Sequence, residues 1–161
     1  MNKNYKKLLN EFTSHWKNYV FQSIFATITI FSILFFLKFI DAVVVASIGA
    51  SVFIVFAMPK AITARARNII GGHLTGLVCG SLFALIPRTL FLSNIIVYSL
   101  AVGFSIFIMV VIDTEHPPAA GTALGVAMVG FSLNISFALI SSTIILSLIH
   151  HIFKDQLIDL V

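Results

Sequence analysis

Three short stretches of this chain place polar side chains capable of chemistry inside otherwise apolar runs. The most distinctive is His116-Pro117-Pro118-Ala-Ala-Gly121-Thr122. Proline suits the first turn of a helix, where its missing N–H is no loss, so the pair predicts a helix beginning at Pro117 or Pro118. The amides left free at such a start, with the positive end of the helix dipole, form a site that holds an anion without Lys or Arg. Gly121 and Thr122 lie one turn further in, where a close backbone approach and a hydroxyl donor are both useful. The second stretch runs from Asn68 to Gly80 and carries His73. An ionisable group at membrane depth is costly to keep and is by default a functional candidate. Imidazole changes charge near physiological pH, so His73 and His116 can each either donate to an anion or carry a proton. The third is Gly49-Ala50-Ser51, a small-residue turn that offers Ser51 as a donor and a second helix start near Gly49.

Other residues have plainer readings. Gly72, Gly76 and Gly80 recur every four positions, which sets them on one helix face and lets another backbone come close, within the chain or across a dimer. Asp113 and Glu115 read as solvated caps. Arg65 and Arg67 suit phospholipid contact, and Arg67 beside Asn68 can also draw anions toward an inner mouth. The single cysteine, Cys79, excludes an intrachain disulfide and a Cys-based metal site. A metal enzyme built on His73, His116, His150 and His151 is a poor fit, because adjacent His150 and His151 point to different helix faces and no His-Glu-x-x-His spacing occurs. No cofactor motif is present, and the chain reads as a non-enzyme.

These residues need elements to hold them, and the composition says which. The 161 residues are 59% hydrophobic and only 10% charged, whereas a soluble domain is about a quarter charged. A chain this short cannot hide so much Ile, Leu, Val and Phe in its own interior, so lipid must cover the rest. Apolar segments run from Val20 to Phe39, Ala42 to Met58, Asn68 to Ile86, Ile95 to Ile112, Ala119 to Phe131 and Ile135 to Ile152. The fifth is short for a full crossing and reads either as a short span or as a re-entrant half-helix. The prediction is an all-α polytopic bundle of about six hydrophobic segments over residues 20–153. An amphipathic interfacial helix over 1–19 precedes it, with Tyr5, Leu8, Leu9, Phe12, Trp16 and Tyr19 opposite the lysines, and a polar tail over 154–161 follows.

With the N-terminus cytoplasmic and six crossings, Lys3, Lys6, Lys7, Lys17, Lys60, Arg65, Arg67 and Lys154 fall inside, leaving Lys38 and Arg88 outside, as the positive-inside rule asks. The net charge of +4 is spread between apolar blocks rather than along a stripe, which fits anchoring to membrane lipid and not nucleic acid. No cleavable signal is expected, since residues 1–17 are polar and no small-residue cleavage site follows the first apolar run. A faint echo links Gly49-Ala-Ser51 with Gly121-Thr-Ala123. Halves of three spans each would run in opposite orientation, as in transporters built from inverted repeats.

Ser47-Ile-Gly49-Ala-Ser51, Arg67-Asn68-Ile-Ile-Gly71-Gly72-His73, Pro87, and His116-Pro117-Pro118-Ala with Thr122-Ala123-Leu124 together resemble the HPP family of small integral membrane proteins. The resemblance covers roughly Val20 to Ile152. It departs from the family pattern at Ala66, where a Pro usually precedes the Arg-Asn pair, and at Ala119-Ala120-Gly121 in place of Ala-Gly-Ala. The family is described with four spanning helices, fewer than the six segments counted here. Plant and cyanobacterial members are associated with nitrite transport, so the resemblance implies a transporter or channel for nitrite or a similar small monovalent anion, in a prokaryotic plasma membrane. The anion would be held at His116, Pro117, Pro118, Gly121 and Thr122, with Gly49, Ala50, Ser51, Asn68 and His73. The chain would work as a homo-oligomer, a dimer or trimer, with the third helix at a close-packed contact. The alternative is a membrane scaffold or sensor that packs as a dimer and transports nothing.

Overall fold

A computed structural model of the protein describes residues 3–37, 42–87 and 91–160, with side chains over 13–35, 44–87 and 93–160. Lys38, Arg88 and the apolar face of Tyr5, Leu8, Leu9 and Phe12 lie outside the described side chains. The described residues form six α-helices: α1 (Lys3–Leu37), α2 (Ala42–Ala57), α3 (Ala66–Ala84), α4 (Phe91–Val111), α5 (Pro117–Val129) and α6 (Leu133–Phe153), with a 3-10 turn, Ile62–Ala64, between α2 and α3. The described residues include no strand. The segments expected from hydropathy are all helices, with ends set by local chemistry. Pro59 follows the end of α2 at Ala57, and the Pro117-Pro118 pair occupies the first positions of α5. The polar segment and the first apolar run form one unbroken helix, α1.

Neighbouring helices alternate in direction. The Gln22 amide of α1 donates to Phe56 O at the end of α2, and Ile33 packs with Val44 at the other end, so α1 and α2 are antiparallel. Arg67 at the start of α3 bonds to Ile112 O just past the end of α4, and His150 near the end of α6 donates to Pro59 O. The face that holds the ends of α2, α4 and α6 and the starts of α3 and α5 is called the inner face below. Because α5 starts there and α6 returns to it, α5 carries the chain to the far side. Its 13 residues rise only about 20 Å, and the link 130–132 completes the passage. The turn between α4 and α5 is tightened at Asp113, whose φ of 58° is left-handed, a conformation Asp tolerates better than most residues.

Thr13–Phe35, Ser93–Val111 and Leu133–Phe153 are helical stretches long and apolar enough to cross a bilayer, and Val44–Ala57 and Pro117–Val129 are shorter apolar helices. Large apolar side chains such as Phe35, Phe107, Phe137 and Leu148 are more than half exposed, as expected of a surface wetted by lipid tails. The chain is an integral membrane protein.

The tightest packing is between α3 and α5, which run parallel. A Cβ on Gly72 would lie 2.6 Å from His116 Cβ, one on Gly76 would run into Ala119 O, and one on Gly80 would lie 2.6 Å from Ala123 O. The glycine face is therefore filled by α5 of the same chain, and a contact between copies would have to use another face. Gly103 on α4 has open space where a Cβ would stand. Gly80→Leu should therefore lower stability by about 1–3 kcal/mol or more through overpacking, while Gly103→Leu leaves it unchanged. Thermal unfolding of both variants in detergent checks this, and equal midpoints would contradict the α3–α5 register.

Candidate functional site

Ser47 and Ser51 stand one turn apart on α2, so both face the same way. They meet His73 from α3, and His116 and Thr122 from the start and second turn of α5. None of the five is more than 4% exposed. Ser51 Oγ lies 2.8 Å from His73 Nε2 and 2.8 Å from His116 Nε2, bridging the two rings, whose centroids are 5.1 Å apart. His73 Nδ1 is 2.7 Å from Thr122 Oγ1, which is 2.9 Å from Ser47 Oγ. The outer end closes on Val44 O, 2.8 Å from Ser47 Oγ, and the inner end on Thr63 O, 2.8 Å from His116 Nδ1. Thr63 belongs to the 3-10 turn, so the chain of bonds starts in the loop at the inner face. Ser47 lies ten residues from the end of α2, so the chain reaches about 15 Å into the bundle, near half the thickness of a bilayer core.

The partners dictate where the protons sit when both rings are neutral. A carbonyl only accepts, so His116 carries its proton on Nδ1 and donates it to Thr63 O. His116 Nε2 then has a lone pair, which takes the Ser51 hydroxyl. Ser51, having spent its proton, must accept from His73 Nε2–H. His73 Nδ1 in turn accepts from Thr122, and the single Ser47 proton goes either to Thr122 or to Val44 O. The two imidazoles thus hold opposite tautomers, with every polar atom paired.

Four expected residues, His73, His116, Ser51 and Thr122, meet at this point. Gly121 backs it, with its Cβ position 3.4 Å from Ser47 Cβ, and Gly72 makes room for His116. Pro118 is buried and Pro117 exposed at the start of α5. Asn68 braces the site rather than lining it, since its side-chain amide donates to Glu115 O, 3.0 Å away and one residue before His116. Gly49 lies mid-helix and starts nothing, because α2 begins at Ala42. A Cβ on Gly49 meets no atom within 4 Å, and Ala50 is exposed, so neither joins the network.

The expected anion cradle of free amides at the start of α5 is not there. Pro117 and Pro118 have no N–H, and the Ala119 amide bonds back to His116 O at 2.8 Å. The donors of this site are hydroxyls and imidazoles. Arg67 is likewise engaged, 2.8 Å from Asp113 and 2.8 Å from Ile112 O, closing the α4–α5 turn. Two contributors escaped the sequence reading as site residues. Ser47 was legible from its one-turn spacing to Ser51, whereas Thr63 acts through its backbone oxygen, to which side-chain type is blind.

Beside the site, on the inner face, an open cavity of about 670 Å³ is lined by Lys60, Arg65, His151 and Lys154, with Asp155. Ala61 and Arg65, which flank the 3-10 turn, form part of its wall, so the turn that holds His116 also borders a basic vestibule. On the far side Ile33, Val44, Ile48, Leu77, Val126, Ile135 and Leu139 form an apolar cluster. No group of three or more His, Cys, Asp or Glu able to hold a metal occurs among the described residues. Thr122→Val should cost about 1–3 kcal/mol, because it leaves His73 Nδ1 buried without a donor, while Thr122→Ser keeps the bond. Denaturant unfolding in micelles of the two variants measures the difference, and a fully stable Thr122→Val would contradict the closed network.

Comparison with known proteins bears on the whole chain. The family model described as HPP, transmembrane region, matches residues 12–156. A transmembrane protein of Dictyostelium discoideum is 32% identical over 103 residues, 62% of this chain. That match spans 36% of the length of the Dictyostelium protein. No solved structure matches the chain. With the matched region taking in all of the site and nearly all of the bundle, the chain belongs to the HPP family of membrane proteins.

Proposed function

We propose that the protein transports a small monovalent anion, nitrite being the best fit, across the membrane, with the inner face cytoplasmic and two or more copies acting together on lipid-exposed faces. The observation that carries this reading is the buried cluster of two imidazoles and three hydroxyls reaching mid-bilayer from a loop that borders a basic vestibule. Polar groups are expensive in hydrocarbon, and ionisable ones inside spanning helices mark substrate or ion routes.

Nitrite accepts hydrogen bonds and donates none, so a site for it must be rich in donors that can be freed. Ser47, Ser51, Thr122, His73 and His116 each hold one, and their present acceptors include the Thr63 and Val44 carbonyls, which an anion can replace. Lys60, Arg65 and Lys154 raise the local concentration of anions at the inner mouth. The outer apolar cluster stands across the remaining path, so passage requires α2 and α5 to separate there. An anion taken in displaces at least one internal bond, which keeps binding weak enough for release.

One observation favours a second reading, a membrane scaffold without transport: every atom of the network already has a partner. Nitrite uptake into vesicles separates the two. Vesicles holding the purified protein should take up nitrite faster than empty ones, and His116→Ala should bring the rate down toward that of empty vesicles, by tenfold or so. That corresponds to about 1.4 kcal/mol on the barrier. Equal rates in empty, wild-type and His116→Ala vesicles, with the variant folded, would end the transport reading.

A further inference from the structure

We propose that Ser51 relays a proton between His116 and His73, so that the anion crosses together with H⁺; this rests on the transport reading above. The inference comes from what the network does when one proton is added. Let that proton come in beside the anion at Thr122, which takes it and passes its own hydroxyl proton to His73 Nδ1. His73 then donates from both nitrogens, Nδ1 to Thr122 Oγ1 and Nε2 to Ser51 Oγ. The Ser51 hydroxyl keeps its acceptor in His116 Nε2 at 2.8 Å, while Thr122 donates to Ser47 and Ser47 to Val44 O. Nothing is left unpaired and no helix moves.

Transfer runs along bonds that already point the right way, from His73 Nε2–H to Ser51 and from Ser51 to the bare His116 Nε2. The His73 Nε2–H bond breaks as a new Ser51 Oγ–H bond forms, and the original Ser51 proton passes to His116 Nε2. His73 ends neutral with its proton on Nδ1, His116 ends as imidazolium, and Ser51 ends with one proton, as it began. The positive charge has moved from the ring that contacts Thr122, where the anion's donors lie, to the ring beside the inner loop, where His116 Nδ1–H meets Thr63 O. An anion held at Thr122 enters next to a cation, which removes most of the penalty of taking a lone charge into low dielectric.

Among the described residues, no other Asp, Glu, Lys, Arg or His takes part in the network. Helices α2, α4 and α5 contain no Asp, Glu, Lys, Arg or His. On α3, Arg67 is held by Asp113 at the inner surface, and on α6, His150 is tied to Pro59 O. Glu115 stands beside His116 in the chain, and Asp113, Asp155 and Asp159 supply further carboxylates at the inner face. The inner segment of α1 contributes His15 and Lys17, and the last turn of α6 also carries His151.

Two measurements on the full chain test the relay. Nitrogen-15 NMR of histidine-labelled protein in micelles at neutral pH should show opposite tautomers, His116 protonated at Nδ1 and His73 at Nε2; the same tautomer on both rings would overturn the relay whatever the flux. In vesicles, initial nitrite uptake should rise with acidity on the side of nitrite addition, roughly tenfold per pH unit at one proton per anion while protonation limits the rate, beyond the rise in empty vesicles, which nitrous acid crosses unaided. Ser51→Ala should abolish that excess rise, and Ser51→Thr should restore it. If labelled nitrite exchanges at equal pH on both sides but uptake ignores the gradient, the relay is wrong while the transport reading stands. If nitrite neither exchanges nor accumulates, the transport reading fails and the coupling with it.

Discussion

The close approach of α3 and α5 is the constraint from which the site follows. Two parallel helices come this near only where one presents no side chain, and Gly72, Gly76 and Gly80 provide that over three successive turns. The position of Gly72 is the most telling, because the space a Cβ would take is occupied by His116 Cβ. That single substitution of hydrogen for carbon brings the two imidazole rings to a centroid distance of 5.1 Å. One serine hydroxyl then bridges both. Wider spacing would leave two isolated polar rings in an apolar bundle, each needing its own partner.

Lipid enforces the rest. In water an unpaired hydroxyl finds a solvent molecule; in a bilayer it must be paired within the protein or sit in a hydrated recess. The five side chains of the network satisfy one another and anchor on two backbone carbonyls, Val44 O and Thr63 O. The hydrogen-bonded network lies in the half of the bundle next to the inner loops, while aliphatic side chains cluster in the opposite half. An unbroken polar path would be a leak, and an unbroken apolar one would pass no ion.

Much of the architecture was legible in the amino-acid sequence because the bilayer imposes a length and a solvent. Helix ends followed from Pro59 and from Pro117-Pro118, and the glycine repeat announced a close contact, though not that its partner would be α5 of the same chain. The imidazoles were picked out by the rarity of ionisable groups at depth. What could not be read was three-dimensional in origin. Spacing alone did not say that Ser47 and Ser51, rather than Gly49 and Ala50, face inward, since that depends on which side of α2 meets α5. The Thr63 carbonyl has no side-chain signature at all. The amide cradle was a misreading with its correction in plain view: the same prolines that start α5 remove two of the donors a helix start would offer.

The alternation of helix direction has an electrical consequence. Helices α1, α3 and α5 point one way and α2, α4 and α6 the other, so their macrodipoles oppose one another and largely cancel. A membrane voltage acting on this fold finds little fixed dipole to turn and no buried Lys, Arg, Asp or Glu within α2, α4 or α5 to pull. In the proposed transport it can do work only on what moves through. A single proton accompanying a single monovalent anion carries no net charge, and such a pair would cross the energised membrane as readily as a resting one.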